Sequence, residues 1–123
     1  MITIDERSSV PIYEQIKTGL RGLVARGLLE PGEQVPAIRP LAETLVVNPN
    51  TIARAYRELI LEGFLESRRG EGNFVSAKAR KQVGNGLETA GRQFQEAILA
   101  ARRAGLSWSQ IRALLHQAQE DPS

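Results

Sequence analysis

The chain has 123 residues, 41% of them hydrophobic and 24% charged, with a formal net charge of +2. This suits one globular domain, or a small domain with an appendage, and no apolar run approaches the ~20 residues that span a bilayer. With no cysteine and a single histidine, His116, disulfides, thiolate metal sites and histidine-based catalytic sets lack their residues, so neither a metal nor a cofactor is expected.

The opening stretch MITIDERSS has no basic-then-apolar leader pattern and predicts a cytoplasmic protein with no membrane partner. From Pro11 to Arg26, Ile12, Ile16, Leu20, Leu23 and Val24 form one helical stripe, which Gly27 closes. Ser8 and Ser9 lie just upstream, and Pro11 suits a first helical turn. Pro31-Gly32 marks a turn. A short second helix is predicted from Ile38 to Leu45, burying Ile38, Leu41, Ala42 and Leu45. Pro40 is tolerable there only in the first turn, and it disfavours helix at Arg39, which predicts a strained or late start. The third helix opens on VNPNTIARAY. Asn48 suits the N-cap and Pro49 the first helical position. Ile52, Ala55, Tyr56, Leu59 and Ile60 form its buried stripe, and Gly63 ends it.

Beyond Gly63 the pattern changes. FLES and NFVSA are short and alternating and flank RRGEG, which reads as a β-hairpin with a basic tip. SAKARKQVGNG reads as a linker or a poorly capped helix start, hinged at Gly84 and Gly86. An amphipathic helix is predicted from Leu87 to Ala104. After Gly105 a last helix follows, capped by Ser107 with Gln110 three residues on. Two such helices bury little on each other, so they either pack back on the first domain or pair with the same helices of a second chain. The separating glycines favour the second arrangement. The candidate dimerisation residues are then Leu87, Phe94, Ile98, Ala101, Trp108, Ile111 and Leu115.

Three helices followed by a hairpin, with a short turn around Val46–Asn48 joining the second and third, is the spacing of a helix-turn-helix with a wing. In that arrangement the first turn of the third helix faces base edges, which places Asn48, Asn50 and Thr51 at the nucleic acid. Asparagine can hold adenine through two bonds, and threonine offers a hydroxyl and a methyl group. Alternatively, Asn48 only caps the helix and its neighbours are idle. Arg39 could clamp backbone or guanine, and Arg54 and Arg57 lie off the buried stripe. Arg57 could reach phosphate or pair with Glu58 or Glu62. Arg68, Arg69, Gly70 and Gly72 form the wing tip, where glycine permits close backbone approach and arginine favours a narrow minor groove. Arg68, Arg69, Lys78, Arg80 and Lys81 against Glu71 leave a local +4 between residues 68 and 81. A local basic patch matters more to a polyanion than the total charge does.

The segments PIYEQI, GLLEPGEQVPAIRPLAETLVVNPNTIARAYRELILEGF and LESRRGEGNFV, at their intervals over about residues 9–76, resemble the winged-helix domain of the GntR family of bacterial transcription regulators. The segment NPNTIARAYRELILEG, with a tail of only about 45 residues holding two helices, looks like the YtrA-type subfamily. The resemblance implies a homodimer on a near-palindromic double-stranded DNA operator, most often as a repressor. It also implies a tail that serves dimerisation and is too small for an effector pocket, so any small-molecule effector is unknown. Arg39, Asn50, Thr51 and either Gly72 or Gly70 match the family's contact positions. Ala37, Pro40 and Val46 depart from its usual serine, acid and glycine, and Pro49 and Ala53 stand where some subfamilies have arginine.

The expected fold is therefore mainly α with a small β-hairpin. It comprises a winged helix-turn-helix domain (1–78) and a linker with a two-helix dimerisation tail (79–123). The expected function is sequence-specific DNA-binding regulation, without enzyme activity. The alternative is a small helical adaptor whose basic hairpin binds an acidic protein. No nucleophile–base set or phosphate loop stands out, since Gly70-Glu71-Gly72 lacks the trailing Gly-Lys-Ser/Thr of a P-loop.

Overall fold

The computed structural model describes residues 2–120. Over these the order is α1 (Ile12–Ala25), α2 (Ile38–Leu45), α3 (Pro49–Leu61), β1 (Leu65–Arg68), β2 (Gly72–Val75), α4 (Ala79–Ala104) and α5 (Trp108–Glu120). The chain divides into two compact units between Gly84 and Asn85.

The first unit is built on three helical stripes that meet. Ile16, Leu20 and Val24 come from α1, Leu41 and Ala42 from α2, and Ile52, Ala55, Tyr56 and Leu59 from α3. Phe64, Leu65, Val75 and Ala79 close the same core. An eight-residue helix such as α2 is marginal alone, so its burial against α3 is what holds it. Tyr56 is fully buried, and its hydroxyl donates to the Pro36 carbonyl (2.6 Å), which ties the loop before α2 to α3. Burial pushes the Tyr56 pKa up, so the hydroxyl stays protonated and remains a donor.

The predicted late start of α2 is not found. The helix begins at Ile38 after an extended Ala37, and Pro40 is its third residue. An N–H at that place would have had no partner within the helix, so the proline costs little. The strain sits at the other end instead. Val46 takes φ 56 and ψ 52 and is the sole positive-φ residue other than glycine among the described residues. The Val47 N–H reaches back to the Ala42 carbonyl (3.0 Å), the bond that closes a helix through a left-handed residue. A β-branched side chain there is strained by about 1–2 kcal/mol, and Val46 is 82% exposed, so packing returns nothing. Val46→Gly relieves that strain but gives back part of it as unfolded-chain entropy. The expected result is a gain of about 0.5–1 kcal/mol, read as a higher urea midpoint; an unchanged or lower midpoint would show that the turn is not strained.

A charged network joins α1 to α3. Lys17 is only 4% exposed, and its Nζ donates to Glu62 Oε2 (2.6 Å) and Glu58 Oε1 (2.9 Å). Arg21 also donates to Glu62. The Glu62 bond, opposed by desolvation and helped by Glu58, holds the Lys17 pKa above its ordinary value. Bonds from Lys17 and then Arg54 hold Glu58 below the usual carboxylate range. At Glu62 burial pulls upward, but bonds from Lys17 and Arg21 outweigh it and the net direction is down. Both depressed carboxylates contribute stability above the ordinary carboxylate pKa of about 4.3. They lose it as pH falls through their lower folded values. Lys17 contributes below its ordinary pKa and loses that contribution as pH rises through the raised folded value. Wild type should therefore lose melting temperature below about pH 4 more steeply than Lys17→Met. Parallel melting-temperature profiles for the two would show that the network is energetically idle.

The amino-terminal segment belongs to the core, which the sequence reading did not foresee. Ile2 is buried, and a Cβ at Gly19 would lie 2.9 Å from Ile2 Cγ1, so the glycine makes room for the strap. Gln15 fixes the strap by accepting from the Asp5 N–H (2.7 Å) and donating to the Asp5 carbonyl (2.9 Å).

Of the two readings of SAKARKQVGNG, a linker or a helix start, the structure bears out the helix start and not the linker. Helix α4 starts at Ala79 and runs through Gly84 and Gly86 without a break. Each glycine costs about 1 kcal/mol relative to alanine, but the first turn is anchored. Ala79 is buried, Val83 packs on the core, and Gln82 Nε2 donates to the Glu62 carbonyl (3.2 Å). The capping pair before α5 is present. The Gln110 N–H donates to Ser107 Oγ (3.1 Å), and the Ser107 N–H donates to Gln110 Oε1 (2.8 Å). His116 is exposed and lies 3.3 Å from Glu120.

Candidate nucleic-acid interface

The mouth of α3 is fixed by its own sequence. Asn48 is extended, its Oδ1 accepts from the Asn50 N–H (2.8 Å), and Pro49 takes the first helical position. These two residues set the first turn locally, while Val47 before it and Ile52 within it pack on the core. Asn48, Pro49 and Asn50 are exposed and Thr51 is half-buried. The Asn50 side-chain amide makes no hydrogen bond among the described residues. Arg39, at the second position of α2, is exposed and makes no ion pair among the described residues.

The hairpin is a braced wing. Its strands pair antiparallel from Leu65↔Val75 to Arg68↔Gly72, leaving Arg69, Gly70 and Glu71 as the tip. The Glu71 N–H donates to the Arg68 carbonyl (2.9 Å), and Gly70 takes φ 77, which is type II turn geometry. Gly72 takes φ 113, and a Cβ there would sit 2.6 Å from Gln34 Nε2, which itself donates to the Glu71 carbonyl (2.8 Å). Gln34 also bridges Phe74, the Val35 N–H donates to Asn73 (2.9 Å) and the Val75 N–H donates to Glu33 (2.8 Å). The loop before α2 thus forms a third, one-bridge edge on β2. No alternating run around Gln34 announced it, which is why the sequence showed only two strands.

The candidate arginines divide into two groups. The Arg54 guanidinium stacks 3.7 Å from the Tyr13 ring centroid, and its Nε donates to Glu58 Oε2 (3.1 Å). Arg68 lies 4.0 Å from the Phe74 ring centroid, with Glu66 at 3.9 Å. Both are spoken for within the fold. Arg57 and Arg69 are exposed, with no ion pair among the described residues. Glu58 and Glu62, offered by the sequence as partners for Arg57, bond instead to Lys17, Arg21 and Arg54. The i, i+4 spacing of the two acids, facing a lysine beside an apolar stripe, was the available signal for that network.

The tail residues lie in the second unit. Leu87, Phe94, Trp108 and Leu115 are exposed, Phe94 by 55%, while Ile98, Ala101 and Ile111 are half-buried. No residue of α5 is buried. The Trp108 ring has the Arg102 guanidinium 4.9 Å from its centroid. Among the described residues no His, Asp or Glu cluster could hold a metal ion, and no helix is long and apolar enough to cross a membrane.

A helix-turn-helix whose second helix opens on an uncommitted asparagine, followed by an arginine-tipped hairpin braced by the loop before α2, defines a winged helix-turn-helix regulator. The sequence bears this out at the level of family. The profile described as "Bacterial regulatory proteins, gntR family" matches residues 12–75, and the chain belongs to that family of transcriptional regulators. It is 37% identical to the HTH-type transcriptional repressor YtrA of Bacillus subtilis, over 98% of this chain and 94% of that protein. A solved structure of YtrA from Sulfolobus acidocaldarius, a GntR-family transcription factor, is 34% identical, with a TM-score of 0.60 over 75% of this chain and 97% of that one. The DNA-binding domain of AraR, solved in complex with its operator ORE1, is 26% identical, with a TM-score of 0.53 over 62% of this chain and 93% of that one. The resemblance to the YtrA type, read from NPNTIARAY and the short tail, therefore stands.

Proposed function

We propose that the chain is a homodimeric repressor that binds a near-palindromic operator, with one winged helix-turn-helix on each half-site. It works where the chromosome lies, in the cytoplasm, and carries no enzyme activity. The observation that carries the DNA reading is the self-capped mouth of α3, whose Asn50 has no partner within the described residues. The AraR domain on its operator supports placing that mouth at a duplex. The repressor reading follows the likeness to YtrA. The dimer reading is supported by the exposed Leu87, Phe94, Trp108, Leu114 and Leu115, an apolar set that a solvated monomeric tail would not need. Arg39, Asn50, Thr51, Arg57, Arg69 and the glycine-permitted wing backbone are the proposed contacts. Asn48 acts through its cap, and Arg54 and Arg68 act through their aromatic neighbours.

Selection of bound sites from a random duplex pool tests this. Two inverted half-sites should emerge, and the affinity for them should fall with salt at a slope of about −0.9 per phosphate contacted. Absence of any enriched duplex at low salt defeats the proposal. Sequence-blind retention of acidic protein instead would point to an adaptor.

A further inference from the structure

Two asparagines stand at the mouth of α3, and hydrogen bonding makes them chemically unequal. The Asn48 carbonyl oxygen already accepts from the Asn50 N–H (2.8 Å), so that amide is committed to the helix cap and cannot turn to a base edge without giving the cap up. The Asn50 side chain keeps both its carbonyl acceptor and its NH2 donor. Its backbone is held in place by that same bond and by Pro49 before it, so the amide is presented from a rigid base. The nearest cation along the helix, Arg54, is stacked on Tyr13 and bonded to Glu58 and does not compete for the same base.

From this we infer that Asn50 is the base-specificity residue of α3 and that it reads adenine. The inference rests on the DNA-binding function proposed above. A side-by-side acceptor and donor finds its complement on one major-groove base edge. Adenine presents N6–H to donate and N7 to accept. Guanine presents two acceptors, N7 and O6, and sets O6 against the Asn50 oxygen. Cytosine offers a single donor, and thymine an acceptor beside a methyl group, so neither completes both bonds. Asn48, whose oxygen is engaged in the cap, cannot offer the paired acceptor and donor freely and discriminates weakly.

The test compares sites selected from a random duplex pool by wild type and by Asn50→Ala. This substitution leaves the Asn48 cap intact, because the cap bond uses the Asn50 main chain. One adenine in each wild-type half-site should become degenerate in the Asn50→Ala selection. Replacing that adenine with 7-deazaadenine, which lacks the N7 acceptor, should weaken wild type about tenfold and leave Asn50→Ala nearly unchanged. If the two selections return the same preferences at every position, or if 7-deazaadenine weakens both proteins equally, Asn50 does not read adenine. If wild type enriches nothing, the DNA-binding proposal fails as well, so the two failures are distinguishable.

Discussion

Ending the chain after Gly84 should yield a folded monomer whose affinity for a two-half-site duplex is lower by about 10²- to 10⁴-fold. Among the described residues the buried core is supplied by residues 2–79, and Val83 is the most C-terminal one that packs on it. The shortened chain thus keeps its stripes, its wing brace and the charged network. It loses the exposed Leu87, Phe94, Leu99, Trp108, Leu114 and Leu115. If those residues couple two copies, the second half-site contact is no longer intramolecular, and the avidity disappears without any change at the reading surface. Sedimentation should show the full chain at twice its monomer mass and residues 1–84 at the monomer mass, with circular dichroism retaining a cooperative melt. A dimer of residues 1–84, or equal affinity of the two chains for the duplex, would move the interface into the first unit.

Arg39→Ala should cost roughly 1–3 kcal/mol of specific binding if the contact is bidentate to guanine. The side chain is exposed at the start of α2 and has no ion pair among the described residues, so its removal leaves no orphaned acid. It follows a rigid turn, since Pro36 is tied to Tyr56 and Pro40 stands next in the helix. A base contact loses affinity only on the selected duplex. A phosphate contact loses it on all duplexes and lowers the salt slope by about one. Fluorescence anisotropy against selected and scrambled duplexes separates the two, and an unchanged affinity on both takes Arg39 off the interface.

Much of the fold was legible because its signals are local. The bounds of α2, the Asn48–Pro49 opening of α3, the hairpin tip and the Ser107–Gln110 box were each written within a few residues. What escaped depends on partners distant in the chain. Lys17 meets Glu58 and Glu62 across more than 40 positions, Gln34 meets Glu71 across 37, and Ile2 is given room by Gly19. The open choice between linker and helix start has the same origin. Gly84 and Gly86 weaken a helix locally, and only the burial of Ala79 and Val83 shows why it persists. Within the candidate site, residue type identified Arg54 and Arg68, but not the rings that already hold them.

Glu62 accepts from Lys17, Arg21 and Gln82 at one end of α3, while the opposite end opens on the Asn48 cap and Pro49. Anchorage and readout therefore occupy different ends of one rod. Changes at Asn50 or Thr51 leave the anchored end untouched, so a lineage could drift from one target to another without passing through unstable intermediates. The same partition makes this helix a tractable scaffold for retargeting by exchange of two adjacent side chains.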